Sequence, residues 1–75
     1  MTGLPLVSGT ECIRALFKIG YTQSRTRGSH ARLVCPGRSP VTVPLHNELD
    51  RGTLSSILRT VKISAEEFTG LLKRL

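Results

Sequence analysis

The sequence lacks both a signal-peptide pattern and a long apolar run. None of its hydrophobic stretches approaches the roughly 20 residues that a membrane-spanning helix needs. The hydrophobic content is nonetheless 39%, which favours a folded globule over a disordered tail. We therefore expect a soluble cytoplasmic protein that is not associated with a membrane.

Cysteine is also scarce. Only Cys12 and Cys35 are present, each among apolar neighbours, and a disulfide is not expected without a secretion signal. Together with His30 and His46 they lack the paired, closely spaced ligands of zinc sites. Both cysteines are therefore interpreted as small core residues, and we predict no metal and no cofactor.

Negative charge is absent from the middle of the chain. No Asp or Glu lies between Glu11 and Glu48, and the formal net charge is +6. The basic residues inside that interval are Arg14, Lys18, Arg25, Arg27, Arg32 and Arg38. Such a one-sided basic field suits a polyanion such as nucleic acid, although a basic surface without a ligand would have the same composition.

The residues in the centre of this basic interval suit phosphate binding. Between residues 25 and 32 the sequence reads RTRGSHAR, and Gly28 favours a tight turn between two extended segments. Because successive strand residues face opposite sides of a sheet, burying Leu33 and Cys35 leaves His30 and Arg32 facing out. An imidazole beside guanidinium groups on a solvent face suits a phosphate better than a core.

The remaining pattern predicts an α+β fold. The predicted elements are a helix opened by the capping box of Ser8 and Glu11 and ended by Gly20, strands over residues 21 to 25 or 26, 30–35 and 41–43, and two helices capped by Asp50 and Ser64. A chain of 75 residues has room for one thin core. We predict a single domain over residues 1–75, with residues 1–6 as a flexible lead-in. The order is α-β-β-β-α-α, with helices on one face of a three-stranded antiparallel sheet and the other face open.

With these elements placed, the chain resembles the HicA family of small RNA-cleaving toxins from toxin–antitoxin pairs. The matching pieces, in order, are Ser8-Gly9 with Glu11, Gly20-Tyr21, Arg27-Gly28-Ser29-His30, Val41-Thr42-Val43-Pro44 with His46, Gly52-Thr53-Leu54 with Ile57-Leu58-Arg59, and Ile63-Ser64 with Glu66-Glu67-Phe68. The resemblance implies a double-stranded-RNA-binding-like fold with an extra short C-terminal helix. It also implies an endoribonuclease that cuts messenger RNA without the ribosome, with His30 as its catalytic residue, and a HicB-type antitoxin that silences it.

RNA cleavage needs little from a protein because the 2′-hydroxyl of RNA is itself the nucleophile. Histidine moves protons near neutral pH, so we assign His30 the general base or acid role. The guanidinium fork matches phosphate, so Arg27 and Arg32 are predicted phosphate clamps. Arg25 and Lys18 are predicted outer binding charges.

Other residues and functions stay open at this point. Ser29 is interpreted as a turn hydroxyl in the phosphate-binding set, and Tyr21 as a core residue or a base-stacking ring. His46 is either a second acid/base group or a loop residue bonded to backbone. The basic face also suits a non-catalytic RNA-binding module, or a dock for an acidic protein. If the chain is a toxin, we expect an antitoxin with an acidic surface to cover His30.

Overall fold

The computed structural model describes residues 4–73 and contains three helices and one sheet. The elements are α1 (Gly9–Phe17), β1 (Thr22–Arg27), β2 (His30–Cys35), β3 (Arg38–Pro44), α2 (Arg51–Val61) and α3 (Ala65–Leu72). The strands are antiparallel in the order β1-β2-β3. The predicted double-stranded-RNA-binding-like α+β order, with its extra C-terminal helix, is confirmed. Residues 1–3, which are the first half of the predicted lead-in, and residues 74 and 75 lie outside the described residues.

The core lies between the helices and one face of the sheet. Its strand residues alternate along β2 and β3, and its helix residues lie on one face of each helix. The largest contributors are Leu16, Tyr21, Leu33, Val43, Leu54, Val61 and Phe68. β1 contributes nothing to it, because all six of its residues are exposed. The helices therefore cover one face of β2 and β3, and the opposite face is open to solvent.

The helix starts follow the sequence closely. Ser8 and Ser64 form reciprocal capping boxes with Glu11 and Glu67, and the Asp50 carboxylate accepts a hydrogen bond from the Thr53 amide at 2.7 Å. Each side chain satisfies a backbone donor that the first turn of a helix leaves unpaired. The predicted starts of all three helices are confirmed.

Gly20 ends α1, as predicted. The regular helix runs to Phe17, and in the turn that follows Gly20 adopts φ +106° and its amide donates to the Phe17 carbonyl at 3.1 Å, as in a glycine C-cap. The Tyr21 amide closes that turn by donating to the Leu16 carbonyl at 3.2 Å. Phe17 occupies the last helical position beside this turn and is 45% exposed.

The bounds of β1 and β3 differ from the prediction at both ends of each strand. β1 begins at Thr22 because Tyr21 turns into the core, where its hydroxyl donates to the Ser39 carbonyl at 2.7 Å and burial raises the pKa of the phenol. The core interpretation of Tyr21 is therefore confirmed. β3 runs over Arg38–Pro44, longer than the predicted 41–43. Its prolines are tolerated because β3 is an edge strand, where an amide can face away from the ladder.

The segment between β3 and α2 ties the sheet to α1. The Leu45 amide donates to the Ser29 carbonyl at 2.6 Å, and the Leu49 amide donates to the Val7 carbonyl at 2.8 Å. The Gly9 amide donates to the His46 carbonyl at 2.9 Å. A Cβ atom at Gly9 would lie 2.0 Å from the Pro44 carbonyl oxygen, so only glycine allows this approach. The start of α1 is thus fixed against the end of β3.

We expect Gly9→Ala to destabilise the protein by about 3 kcal/mol, at the upper end of the range for overpacking, because backbone has to move away from the new methyl group. Gly70→Ala is the matched control: its Cβ meets nothing within 4 Å in α3, so helix propensity predicts a gain of about 0.5–1 kcal/mol. Denaturant unfolding of both variants measures the difference. A Gly9→Ala protein as stable as wild type would contradict the close approach.

The cap on α2 predicts a pH dependence of stability. The hydrogen bond from the Thr53 amide holds the pKa of the Asp50 carboxyl below its ordinary value. A lowered folded-state pKa stabilises the protein above the ordinary Asp range, and the gain is lost as pH falls through the folded value. Asp50→Ala should therefore melt below wild type at neutral pH, and the two melting temperatures should converge in acid. A gap that is constant with pH would show that the charge contributes nothing.

Candidate active site

The turn that carries Gly28 fixes the start of β2. Gly28 and Ser29 connect Arg27 to His30, which face each other as a cross-strand pair. Gly28 has φ +58° and Ser29 has a negative φ, which is the pattern of a type II′ hairpin turn. The predicted turn is confirmed. His30 is consequently the first residue of β2, held beside a tight turn whose Ser29 carbonyl is bonded to Leu45.

A β-bulge at Ser24 decides where the arginines of β1 point. Gln23 pairs with Leu33, but Arg25 pairs with Arg32, so Ser24 is the extra residue of β1. Without the bulge Arg25 would pair with Ala31 and face the helix layer, because a one-residue shift moves side chains to the opposite face. The Ser24 hydroxyl donates to the Arg32 carbonyl at 3.3 Å, which holds the bulge against β2.

The result is a block of four basic side chains on the open face, which we call the basic quartet: Arg25, Arg27, His30 and Arg32. Arg25 lies opposite Arg32, and Arg27 lies opposite His30. The quartet lines a shallow depression of about 510 Å³ together with Ser24 and Thr42. Among the described residues, none that lines this depression is acidic.

Ser24 and Thr42 are the residues of the site that the sequence reasoning missed. The Arg32 Nη1 donates to the Thr42 Oγ1 at 3.4 Å, across the β2–β3 pair. Thr42 stands opposite Arg32 in the sheet, and its outward orientation follows from the burial of Val41 and Val43. That alternation was visible in the sequence, whereas the bulge at Ser24 left no such signal.

Four predicted site residues do not line the depression: Gly28 and Ser29 form the hairpin turn between Arg27 and His30, and Lys18 and His46 belong to other segments. Lys18 is the C-cap of α1 and does not line the depression. His46 lies in the segment before α2, where its carbonyl accepts a hydrogen bond from the Gly9 amide. The structure thus brings together four of the predicted basic groups around the turn of Gly28 and Ser29.

The cysteines lie apart from this site. Cys12 is fully buried, and burial raises the pKa of its thiol to about 12. Cys35 is partly buried, and neither cysteine forms a disulfide. Within residues 4–73 no three His, Cys, Asp or Glu side chains meet in a group that could hold a metal ion. In the same range, no helix is both long and apolar enough to cross a membrane.

A comparison with protein families identifies the family of this chain. Residues 9–63 match the family described as the HicA toxin of bacterial toxin-antitoxin, which is more than half of the 75-residue chain. The chain belongs to the HicA family. As a HicA-family toxin it has an antitoxin as its partner. Among curated proteins, none matches the chain.

We expect the like charges of the basic quartet to lower the stability of this toxin. Like charges directly opposite each other in a sheet are destabilising, by about 0.2–1 kcal/mol per pair. Arg25→Gln removes one such charge and keeps most of the side-chain stem. We expect this variant to be more stable than wild type by a few tenths of a kcal/mol. The gain should shrink in high salt, where the repulsion is screened.

Arg59→Gln is the matched control for this measurement, because Arg59 is exposed on α2 and does not line the depression. Thermal melts of the three proteins at low and high salt are compared. Equal effects of both substitutions would show that the stability change reflects net charge and not the cross-strand pair.

Proposed function

We propose that this HicA-family toxin is a cytoplasmic, ribosome-independent endoribonuclease that cleaves messenger RNA at the basic quartet without a metal ion. One observation carries the proposal: His30 lies on the open face opposite Arg27 and two positions along β2 from Arg32, and no acidic residue lines the depression around them. Unneutralised like charges lower stability, so such a cluster is better explained by a polyanionic ligand than by packing.

His30 serves as the general base in this proposal. Its imidazole takes the proton of the 2′-hydroxyl while the 2′-oxygen attacks phosphorus and the bond from phosphorus to the 5′-oxygen breaks. Among the residues that line the depression, His30 is the one whose side-chain type titrates near neutral pH. The products are a 2′,3′-cyclic phosphate and a free 5′-hydroxyl. Because attacking and leaving oxygens lie on opposite sides of phosphorus, the leaving oxygen takes its proton from water.

The arginines stabilise the transition state. Arg27 lies opposite His30 in the sheet, so its guanidinium group contacts the phosphate on which His30 acts. Arg32 lies two positions along β2 from His30 and clamps the RNA backbone beside that phosphate. Arg25 extends the same surface, and Lys18 contributes at longer range. The Thr42 hydroxyl steadies Arg32 through the hydrogen bond described above. A single base on an open face gives on the order of 10²–10⁴-fold acceleration, which suits a slow toxin.

The antitoxin partner is proposed to be of the HicB type and to cover the basic quartet with an acidic surface. Such a surface would pair with guanidinium groups that have no acidic neighbour in the depression. It would block His30 at the same time, because His30 lies opposite Arg27 and two positions from Arg32 on the same face of the sheet. Inhibition would then need no change in the fold of the toxin.

The decisive test uses purified protein, an end-labelled RNA and EDTA. Wild type should yield fragments ending in 2′,3′-cyclic phosphate, and His30→Ala should lower the rate by about 10²–10⁴-fold. Its melting temperature should be unchanged, because His30 is exposed and forms no part of the core. His46→Ala is the matched control and should cleave like wild type.

The other outcomes separate the alternatives. Intact RNA with a salt-dependent gel shift in both proteins would indicate a non-catalytic RNA-binding module. Intact RNA with no gel shift would indicate a surface for an acidic protein. Cleavage by His30→Ala at the wild-type rate would remove His30 from the mechanism.

A further inference from the structure

We infer that the basic quartet holds two consecutive phosphates of one RNA strand, and that this strand runs along β1 and β2. The row formed by Arg27 and His30 takes the phosphate that is cleaved. The row formed by Arg25 and Arg32 takes a phosphate next to it. This inference rests on the proposed endoribonuclease function and adds a second binding position to it.

The spacing of the two rows carries the inference. Arg25 and Arg27 are two positions apart along β1, and His30 and Arg32 are two positions apart along β2. Two residues of a strand span roughly 6.6 Å, about the length of one nucleotide in an extended RNA strand. Within each row the Cβ atoms of opposite residues lie about 5 Å apart, so one phosphate can contact both side chains. The quartet thus forms two positions in the direction of the strands.

Stacking of RNA bases on aromatic side chains contributes little to binding on this face. The chain has three aromatic residues, and two of them, Tyr21 and Phe68, are buried in the core. The third, Phe17, ends α1 in the helix layer. Proteins that hold single strands without reading sequence combine backbone contacts with aromatic platforms. Here the contacts between the side chains of the quartet and the RNA phosphates provide most of the binding. The second phosphate therefore contributes a large share of the affinity.

The experiment uses a short DNA strand that contains one ribonucleotide, so that only one phosphate can be cleaved. Each flanking phosphate is replaced in turn by a neutral methylphosphonate. With wild-type protein, neutralising one adjacent phosphate should lower kcat/KM by about tenfold, the effect of losing one charge-assisted contact. The same replacement three positions away should have a much smaller effect. Equal effects at the adjacent and distant positions would overturn the inference.

Arg25→Gln identifies the side chains that hold the second phosphate. This variant should lose about tenfold on the unmodified strand and little more when the adjacent phosphate is neutral, because both changes remove the same contact. Losses that multiply to roughly a hundredfold would show that Arg25 and this phosphate do not interact. Arg59→Gln, a charge removed from outside the depression, is the matched control and should respond to the methylphosphonate like wild type.

A binding measurement separates this inference from the proposed function. Fluorescence anisotropy with an all-DNA strand, which has no 2′-hydroxyl, repeats the same comparison without cleavage. If wild-type protein fails to cut the single ribonucleotide, the endoribonuclease proposal fails, and the anisotropy data alone decide on the two phosphates. Coupling between Arg25 and one adjacent phosphate supports the inference, and independent losses overturn it.

Discussion

The β-bulge at Ser24 determines which face of the sheet carries the arginines of β1. Before the bulge, Thr22 lies on the open face with its partner Val34. After the bulge, Arg25 and Arg27 lie on that face, because one extra residue reverses the alternation. The basic quartet exists only through this reversal. The Ser24 hydroxyl, bonded to the Arg32 carbonyl, ties the bulge to the strand that carries His30. One small polar residue thus positions both arginines of β1 opposite the two basic residues of β2.

The structure separates what stabilises the fold from what forms the site. Burial, the capping boxes and the contacts of Gly9 all lie on the helix side of the sheet or at its edge. The open face carries like charges in opposite positions and contributes no buried side chain. A strand such as β1, exposed along its whole length, keeps its place through pairing with β2 alone. The site therefore depends on a hairpin that the core supports from one strand away.

Sequence reasoning succeeded where apolar residues set a period. The need to bury Leu33 predicts that His30 and Arg32 face solvent, and the spacing of the apolar residues in α2 predicts its buried face. In both elements one arrangement alone buries the hydrophobic side chains. β1 has no apolar residue, so nothing in its sequence shows where the alternation reverses. The predicted end of β3 was wrong because Pro44 was interpreted as stopping the strand pairing, whereas an edge strand accepts proline. The bulge and the edge position are both consequences of tertiary pairing.

The same electrostatic repulsion links the two proposed ligands of this face. An RNA strand or an acidic antitoxin surface bound here would neutralise Arg25, Arg27 and Arg32, and either ligand would gain binding free energy by relieving their mutual repulsion. Since the cations are few and adjacent, one ligand excludes the other. If the proposed substrate site is this concentrated positive charge on a flat sheet, the toxin presents the same site to its proposed inhibitor. Competition follows from charge alone, without a conformational change to connect two separate surfaces.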